Sequence, residues 1–267
     1  MNSVRRLALL VEYDGASFHG FQAQPQEPTV QVELERALAQ MTGETLRVEA
    51  ASRTDAGVHA EGQVVAFRTG SRLEPRVFVA GLNHYLPADI AVKAAQEAPP
   101  GFRVRRACSR EYRYQIVTRP GRSPLWRGRA WRIGRPLDVV AMQNAADTLC
   151  GEHDLASFTN TEGARLKTGR RVLRADWRQR DELLCFHMEA DAFLPQQVRR
   201  TVGALVQVGL GRSTHGHFAW LLAAAKPNSA GPAAPPWGLY LKRVNYPPGT
   251  LDELAPAGHR DRCKREP

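Results

Sequence analysis

The chain has 267 residues, 43% of them hydrophobic and 24% charged, with a net charge of +10 and a sequence pI near 9.9. That length suggests about two domains at roughly 150 residues each, with enough apolar residues to build a substantial core. No apolar run approaches the roughly 18 residues of a membrane span. The four cysteines, Cys108, Cys150, Cys185 and Cys263, form no CxxC and no zinc-like spacing, so they are expected as buried small side chains, with one in the tail.

The first segment, "MNSVRRLALLVEYDG", has the two arginines and short apolar run of a secretory leader. Glu12 and Asp14 interrupt it and no small-residue cleavage site follows, so residues 7–13 are expected as a first strand of a cytoplasmic protein. After the Pro-rich "QAQPQEP", the stretch "TVQVELERALAQMTG" predicts a helix: Thr29 caps it, Val30, Leu34, Leu38 and Met41 recur at helical spacing, and Gly43 stops it. "RVEAAS" and "QVVAFRT" predict strands on either side of "ASRTDAGVHA". A helix over "PRVFVAGLNHYLP", ending before Pro87, and a strand over "IAVKAAQEAP" complete the order β-α-β-β-α-β.

The second half repeats this order without repeating the sequence. It runs through a strand "EYRYQIVT", a helix "LDVVAMQNAADTLCGEH" with Gly151 near its end, and strands "RVLRADWRQ" and "LLCFHMEA" about a turn at Asp181-Glu182. Helices "PQQVRRTVGALVQVG" and "HFAWLLAAAKP", a loop over 226–237 and a strand "LYLKRVNY" follow. The expected fold is therefore α+β: two split β-α-β (ferredoxin-like) halves, their antiparallel and mixed sheets joined into one extended sheet, with helices on one face and a catalytic cleft between the halves. The halves are expected at 1–107 and 108–250, followed by a charged, disordered tail at 251–267.

Charge separates the halves. Residues 1–107 carry 12 basic and 12 acidic side chains, whereas residues 108–267 carry 25 and 15, so the whole excess lies in the second half. Of the 37 basic residues 32 are arginine, whose planar fork suits phosphate and base stacking, so the basic half points to nucleic acid. A solvated arginine-rich surface accounts for the same composition.

Three places carry residues suited to chemistry. In "ASRTDAGVHA", Asp55 sits in a Gly-containing turn with Arg53, Thr54 and His59 nearby. Most aspartates in turns accept backbone N–H bonds, and no second carboxylate or metal ligand stands at convincing spacing here. Tyr112 and Tyr114, two apart on a strand, face the same side, either as core aromatics or as a platform for an unstacked base. Arginines flank them, from Arg103 to Arg113 before and from Arg119 to Arg135 after. Arg199 and Arg200 begin an otherwise apolar helix, as surface residues or as partners for a buried acid.

Eight blocks occur in the order seen in one family: "EYDGASFHGFQ", "TVQVELERAL", "ASRTDAGVHAEGQVVAF", "LNHYLPADI", "EYRYQI", "HDLASF", "QQVRRTVGALVQVG" and "GLYL". From about residue 7 to 247 the chain resembles the tRNA pseudouridine synthase A (TruA) family. The resemblance implies that Asp55 is the catalytic nucleophile. It also implies that Arg53 pairs with that acid and helps displace the target nucleotide, that Tyr112 contacts the uridine, and that Arg199 salt-bridges the aspartate. It further implies a homodimer without metal or organic cofactor that modifies uridines 38, 39 and 40 in the tRNA anticodon stem-loop. Two blocks depart from the family pattern: Leu155 replaces a common aromatic, and Pro195-Gln196 and Arg200 stand where many members have His or Asn. The reaction implied is an isomerisation, so one carboxylate suffices and no water needs a second acid to activate it. Attack at C1′, removal of the 2′ proton and attack at C6 all remain open.

Overall fold

The structure, a computed structural model, describes residues 4–254. Its contacts group the chain into two compact units. One comprises the chain up to Cys108 and again from Leu241, and the other is Ser109–Tyr240.

In the first unit, β1 (Arg5–Tyr13) is flanked by β3 (His59–Thr69) and β4 (Ile90–Glu97), antiparallel to both. The two-residue β2 (Glu49–Ala50) pairs with β3, and β10 (Leu239–Asn245), which enters this unit at Leu241, lies on the other side of β3. Register sets Leu7 opposite Phe67, Leu9 opposite Val65 and Val11 opposite Gln63, all of them buried. α1 (Val30–Thr42) and α2 (Pro75–Tyr85) cover this face, with the Phe78 ring 5.8 Å from that of Phe67. Thr29 caps α1 by accepting from the Val32 N–H, and Gly43 ends it in the left-handed region at φ 74°, as the sequence predicts.

In the second unit the strands run in the order β5-β9-β8-β7, all antiparallel: β5 (Ser109–Val117), β9 (Leu183–Ala190), β8 (Gly169–Arg180) and β7 (Gly151–Asp154). A short β6 (Trp131–Arg132) runs parallel to β5 and makes the sheet mixed. Tyr114 faces Phe186 across the ladder, and the Trp177 ring lies 4.9 Å from that of Phe186. This apolar face packs under α3 (Val139–Asp147), α4 (Gln197–Gly209) and α5 (His215–Ala224).

The elements follow the expected α+β order apart from two additional short strands, β6 and β7. The helix expected to reach His153 ends at Asp147, because the chain turns at Gly151, φ 113°, and residues 151–154 pair with β8 as an edge strand. The cysteines are less buried than expected: Cys150 is exposed in that turn, and Cys108 and Cys185 are only partly covered. Cys263 and the tail from residue 255 lie outside the described residues, while Leu251 and Leu254 are buried, the latter donating its N–H to Gln96 at 3.2 Å. No described helix is long and apolar enough to cross a membrane.

Phe67 is 1% exposed and fills the space between β3 and α2. Phe67→Ala is expected to lower unfolding stability by about 3–5 kcal/mol, measured by denaturant titration.

Candidate functional site

The connection from β2 to β3 carries Arg53, Asp55 and His59. It leaves the ladder gradually. The Ala51 N–H still bonds the Val64 carbonyl at 2.9 Å, but at Ser52 the side chain of Gln63 replaces the backbone partner. Gln63 accepts from the Ser52 N–H at 3.3 Å and donates to the Ser52 carbonyl at 2.8 Å. At the other end the Val48 N–H is taken by Glu35 Oε1 at 3.0 Å, so a strand expected over 47–52 shortens to two residues.

The Gln63 amide is fully buried, and its second N–H points to Tyr13 Oη at 3.4 Å. With the tyrosine oxygen accepting there, its own O–H is available for Thr54 Oγ1, 2.7 Å away. A buried chain of polar groups, Ser52–Gln63–Tyr13–Thr54, therefore fixes the residue immediately before Asp55. Leaving any of these groups unpaired would cost about 1–3 kcal/mol.

The other wall is the loop that follows β1. The Phe21 N–H bonds the Thr54 carbonyl at 3.1 Å, and the Gly57 N–H bonds the Phe18 carbonyl at 3.3 Å. Between them the chain makes a tight turn, with the Val58 N–H bonded to the Asp55 carbonyl at 3.2 Å. Gly57, φ 75°, occupies the third position of that turn, where a type II turn requires positive φ. A Cβ at Gly15 would lie 2.0 Å from the Val58 carbonyl oxygen, so only glycine allows the two loops to meet.

His59, 3% exposed, joins the same two loops. Its Nδ1 is 3.1 Å from the Gly15 N–H and 3.0 Å from Asp14 Oδ1. An unprotonated Nδ1 accepts from Gly15, whereas a protonated one donates to Asp14, so either form ties β3 to the preceding loop.

On this frame Thr54 and Val58 are buried, Asp55 is half-buried, and Arg53 is exposed. Arg53 makes no ion pair among the described residues.

The remaining sequence candidates belong to the second unit. Tyr112 and Tyr114 do face the same side of β5, yet their surroundings differ. Tyr114 is fully buried: its O–H donates to the Pro235 carbonyl at 2.8 Å, and its ring meets that of Trp131 edge-on at 6.3 Å. Burial pushes its hydroxyl pKa far above the usual tyrosine range, partly opposed by the charge of Arg199. Tyr114 is thus a core residue. Tyr112, 5% exposed and opposite Met188, meets Phe193 edge-on with ring centres 4.9 Å apart.

Arg199 lies in the first turn of α4 and clasps the segment before β10: its Nε–H donates to the Ala234 carbonyl at 2.8 Å, and the Ala234 N–H returns a bond to its carbonyl at 3.0 Å. Arg200 donates to the Gly231 carbonyl at 2.8 Å and to Gln196 at 3.2 Å. Burial and the neighbouring Arg199 charge lower its pKa, in that order. The stretch 226–237, a loop by composition, is therefore strapped to α4.

Sequence reasoning missed Tyr13 and Gln63. A signal was available in the period-2 pattern of β3, which puts an amide at Gln63 on the same face as Val65 and Phe67. A polar side chain on a core face needs partners, and here it has them.

The sequence profile described as tRNA pseudouridine synthase matches residues 9–105 and 145–247. Arg53, Asp55 and Arg199 fall within these segments, and Tyr112 falls in the interval between them. The chain is 43% identical over 242 residues to the tRNA pseudouridine synthase A of Methylacidiphilum infernorum, covering 90% of this chain and 95% of that protein. It is 42% identical over 244 residues to the Geobacter sulfurreducens protein of the same name, covering 91% and 100%. It is 44% identical over 248 residues to that of Bordetella petrii, covering 91% and 92%.

Tyr13→Phe removes the hydroxyl between Gln63 and Thr54. It is expected to cost about 1–2 kcal/mol of stability and to speed amide exchange at Phe21, read by denaturant unfolding and hydrogen exchange.

Proposed function

Because the chain belongs to the tRNA pseudouridine synthase family, we propose that it isomerises uridine to pseudouridine in tRNA, at positions 38, 39 and 40 of the anticodon stem-loop, with Asp55 as the nucleophile. The observation that supports this reading best is a half-buried carboxylate on a turn whose two flanks are tied to buried neighbours. A carboxylate so held need not reorganise before it reacts.

The chemistry conserves atoms. The N1–C1′ bond breaks, the base turns, and C5 bonds to C1′. The proton on C5 leaves, and N1 gains one. A stacked uridine presents neither C1′ nor C6, so the nucleotide must first be extruded at a cost of a few kcal/mol. Asp55 then attacks C1′ or C6, or removes the 2′ proton. Any of these routes needs a single ionised acid.

Arg53, exposed two residues from the acid, is suited to fill the space the nucleotide leaves. Tyr112 contacts the uridine in this proposal, and Arg199 enters it on the resemblance alone, as the cation that salt-bridges the aspartate. The same resemblance supports a cytoplasmic homodimer that works without metal or organic cofactor. A monomeric mass by light scattering at full activity would count against the dimer.

Asp55→Ala is expected to abolish pseudouridine formation, read by carbodiimide labelling of treated tRNA, while tRNA binding survives. Conversion near the wild-type rate would remove Asp55 from the role of nucleophile. Arg53→Ala is expected to slow single-turnover conversion about 100-fold through lost positioning of the nucleotide; an unchanged rate would dismiss the extrusion role.

A further inference from the structure

The segment between β5 and α3 takes no part in the mechanism above. From Arg119 to Arg135 it carries Arg119, Arg122, Arg127, Arg129, Arg132 and Arg135 and no acidic residue. Much of it lies outside regular structure, yet it is firmly anchored. Glu182, in the turn between β8 and β9, accepts from Trp126 Nε1 at 3.1 Å and from Arg119 at 3.2 Å. The Arg129 carbonyl accepts from Gln115 at 3.2 Å and from the Tyr240 hydroxyl at 2.9 Å. Further along, the Ile133 N–H bonds the Val117 carbonyl at 2.9 Å, beside the β5–β6 pairing.

Within the loop Arg119 is tied to Glu182, and Arg132 donates to the Pro120 carbonyl at 3.0 Å. Arg122, Arg127 and Arg135 are exposed, and none has a carboxylate partner among the described residues. Leu125, 89% exposed, stands between Arg122 and Arg127. A polyanion supplies counter-charges to these three exposed cations and releases its own counter-ions on binding. A loop already ordered also loses little entropy on binding.

We propose that residues 119–135 form a backbone clamp for tRNA: Arg122, Arg127 and Arg135 engage phosphates irrespective of base sequence, and Leu125 packs on sugar edges. The clamp sets how tightly tRNA is held and leaves the chemical step to the Asp55 loop. The proposal rests on tRNA being the substrate, as argued above, and concerns binding alone.

The test measures dissociation of fluorescent unmodified tRNA by anisotropy between about 50 and 200 mM salt, with single-turnover conversion at saturating enzyme alongside. The combined variant Arg122→Ala, Arg127→Ala, Arg135→Ala should bind roughly ten- to a hundred-fold more weakly, its log–log salt slope smaller by about 2–3 because each phosphate contact contributes roughly 0.7–0.9. Its rate at saturation should match that of the parent. The Arg→Lys triple variant should recover most of the affinity, since a point charge still meets a phosphate. Leu125→Ser should weaken binding a few-fold at unchanged slope. Unchanged affinity and slope in the alanine variant, with its melting temperature intact, would overturn the clamp, and so would a loss confined to the saturated rate. If the alanine variant fails to fold, the lysine variant and the single Arg127→Glu carry the same test, with charge reversal expected to weaken binding most. A parent protein that binds tRNA through this loop yet forms no pseudouridine would refute the catalytic reading and leave the clamp standing.

Discussion

The geometry of the Asp55 turn depends on a buried amide. Gln63 lies among apolar neighbours on the core face of β3, where an unpaired amide would be costly. Its bonds to Ser52 and Tyr13 meet that cost and, through the Tyr13 hydroxyl, reach Thr54 beside the acid. A group that the core must satisfy is thereby made to orient a loop. The second wall, built from Phe18, Phe21 and the glycine at position 15, closes on the other flank. The carboxylate thus sits on an irregular segment whose backbone is hydrogen-bonded to buried residues on both sides.

The second unit uses a comparable device with different chemistry. Its anchor is the fully buried Tyr114, whose hydroxyl is kept protonated by burial and donates to Pro235. Arg199 and Arg200 bind carbonyls of the same stretch, at Ala234 and Gly231. Arginines at the head of an apolar helix thereby become struts for a Pro-rich strap, and the backbone carbonyls they capture would otherwise need water. Tyr112 and Tyr114 share one face, but the strap seals only the latter in this way.

Charge is handled in a corresponding manner. Several arginines of the second unit bond backbone carbonyls, as Arg199 and Arg200 do, whereas Arg122, Arg127 and Arg135 of the 119–135 loop are exposed, on an acid-free stretch pinned by Glu182. The arginines of the second unit thus include some that bond backbone carbonyls and some that are exposed, and the exposed ones of this loop are those proposed to meet phosphates.

The sequence by itself determined the order of the longer elements, the caps at Thr29 and Gly43, the α+β class and the block around Asp55, because these follow from local periodicity, turn chemistry and contiguous motifs. The strand at residues 151–154 escaped it because Gly, Glu, His and Asp have little strand preference, and β6 escaped it because two residues are too few to show a period. Both tyrosines of the pair are buried, and the bond that ties the Tyr114 hydroxyl to Pro235, more than a hundred residues later, was likewise beyond it. Only tertiary structure could join Gln63, Tyr13 and Thr54, because a hydrogen bond between strands depends on register, and register is a property of the folded sheet.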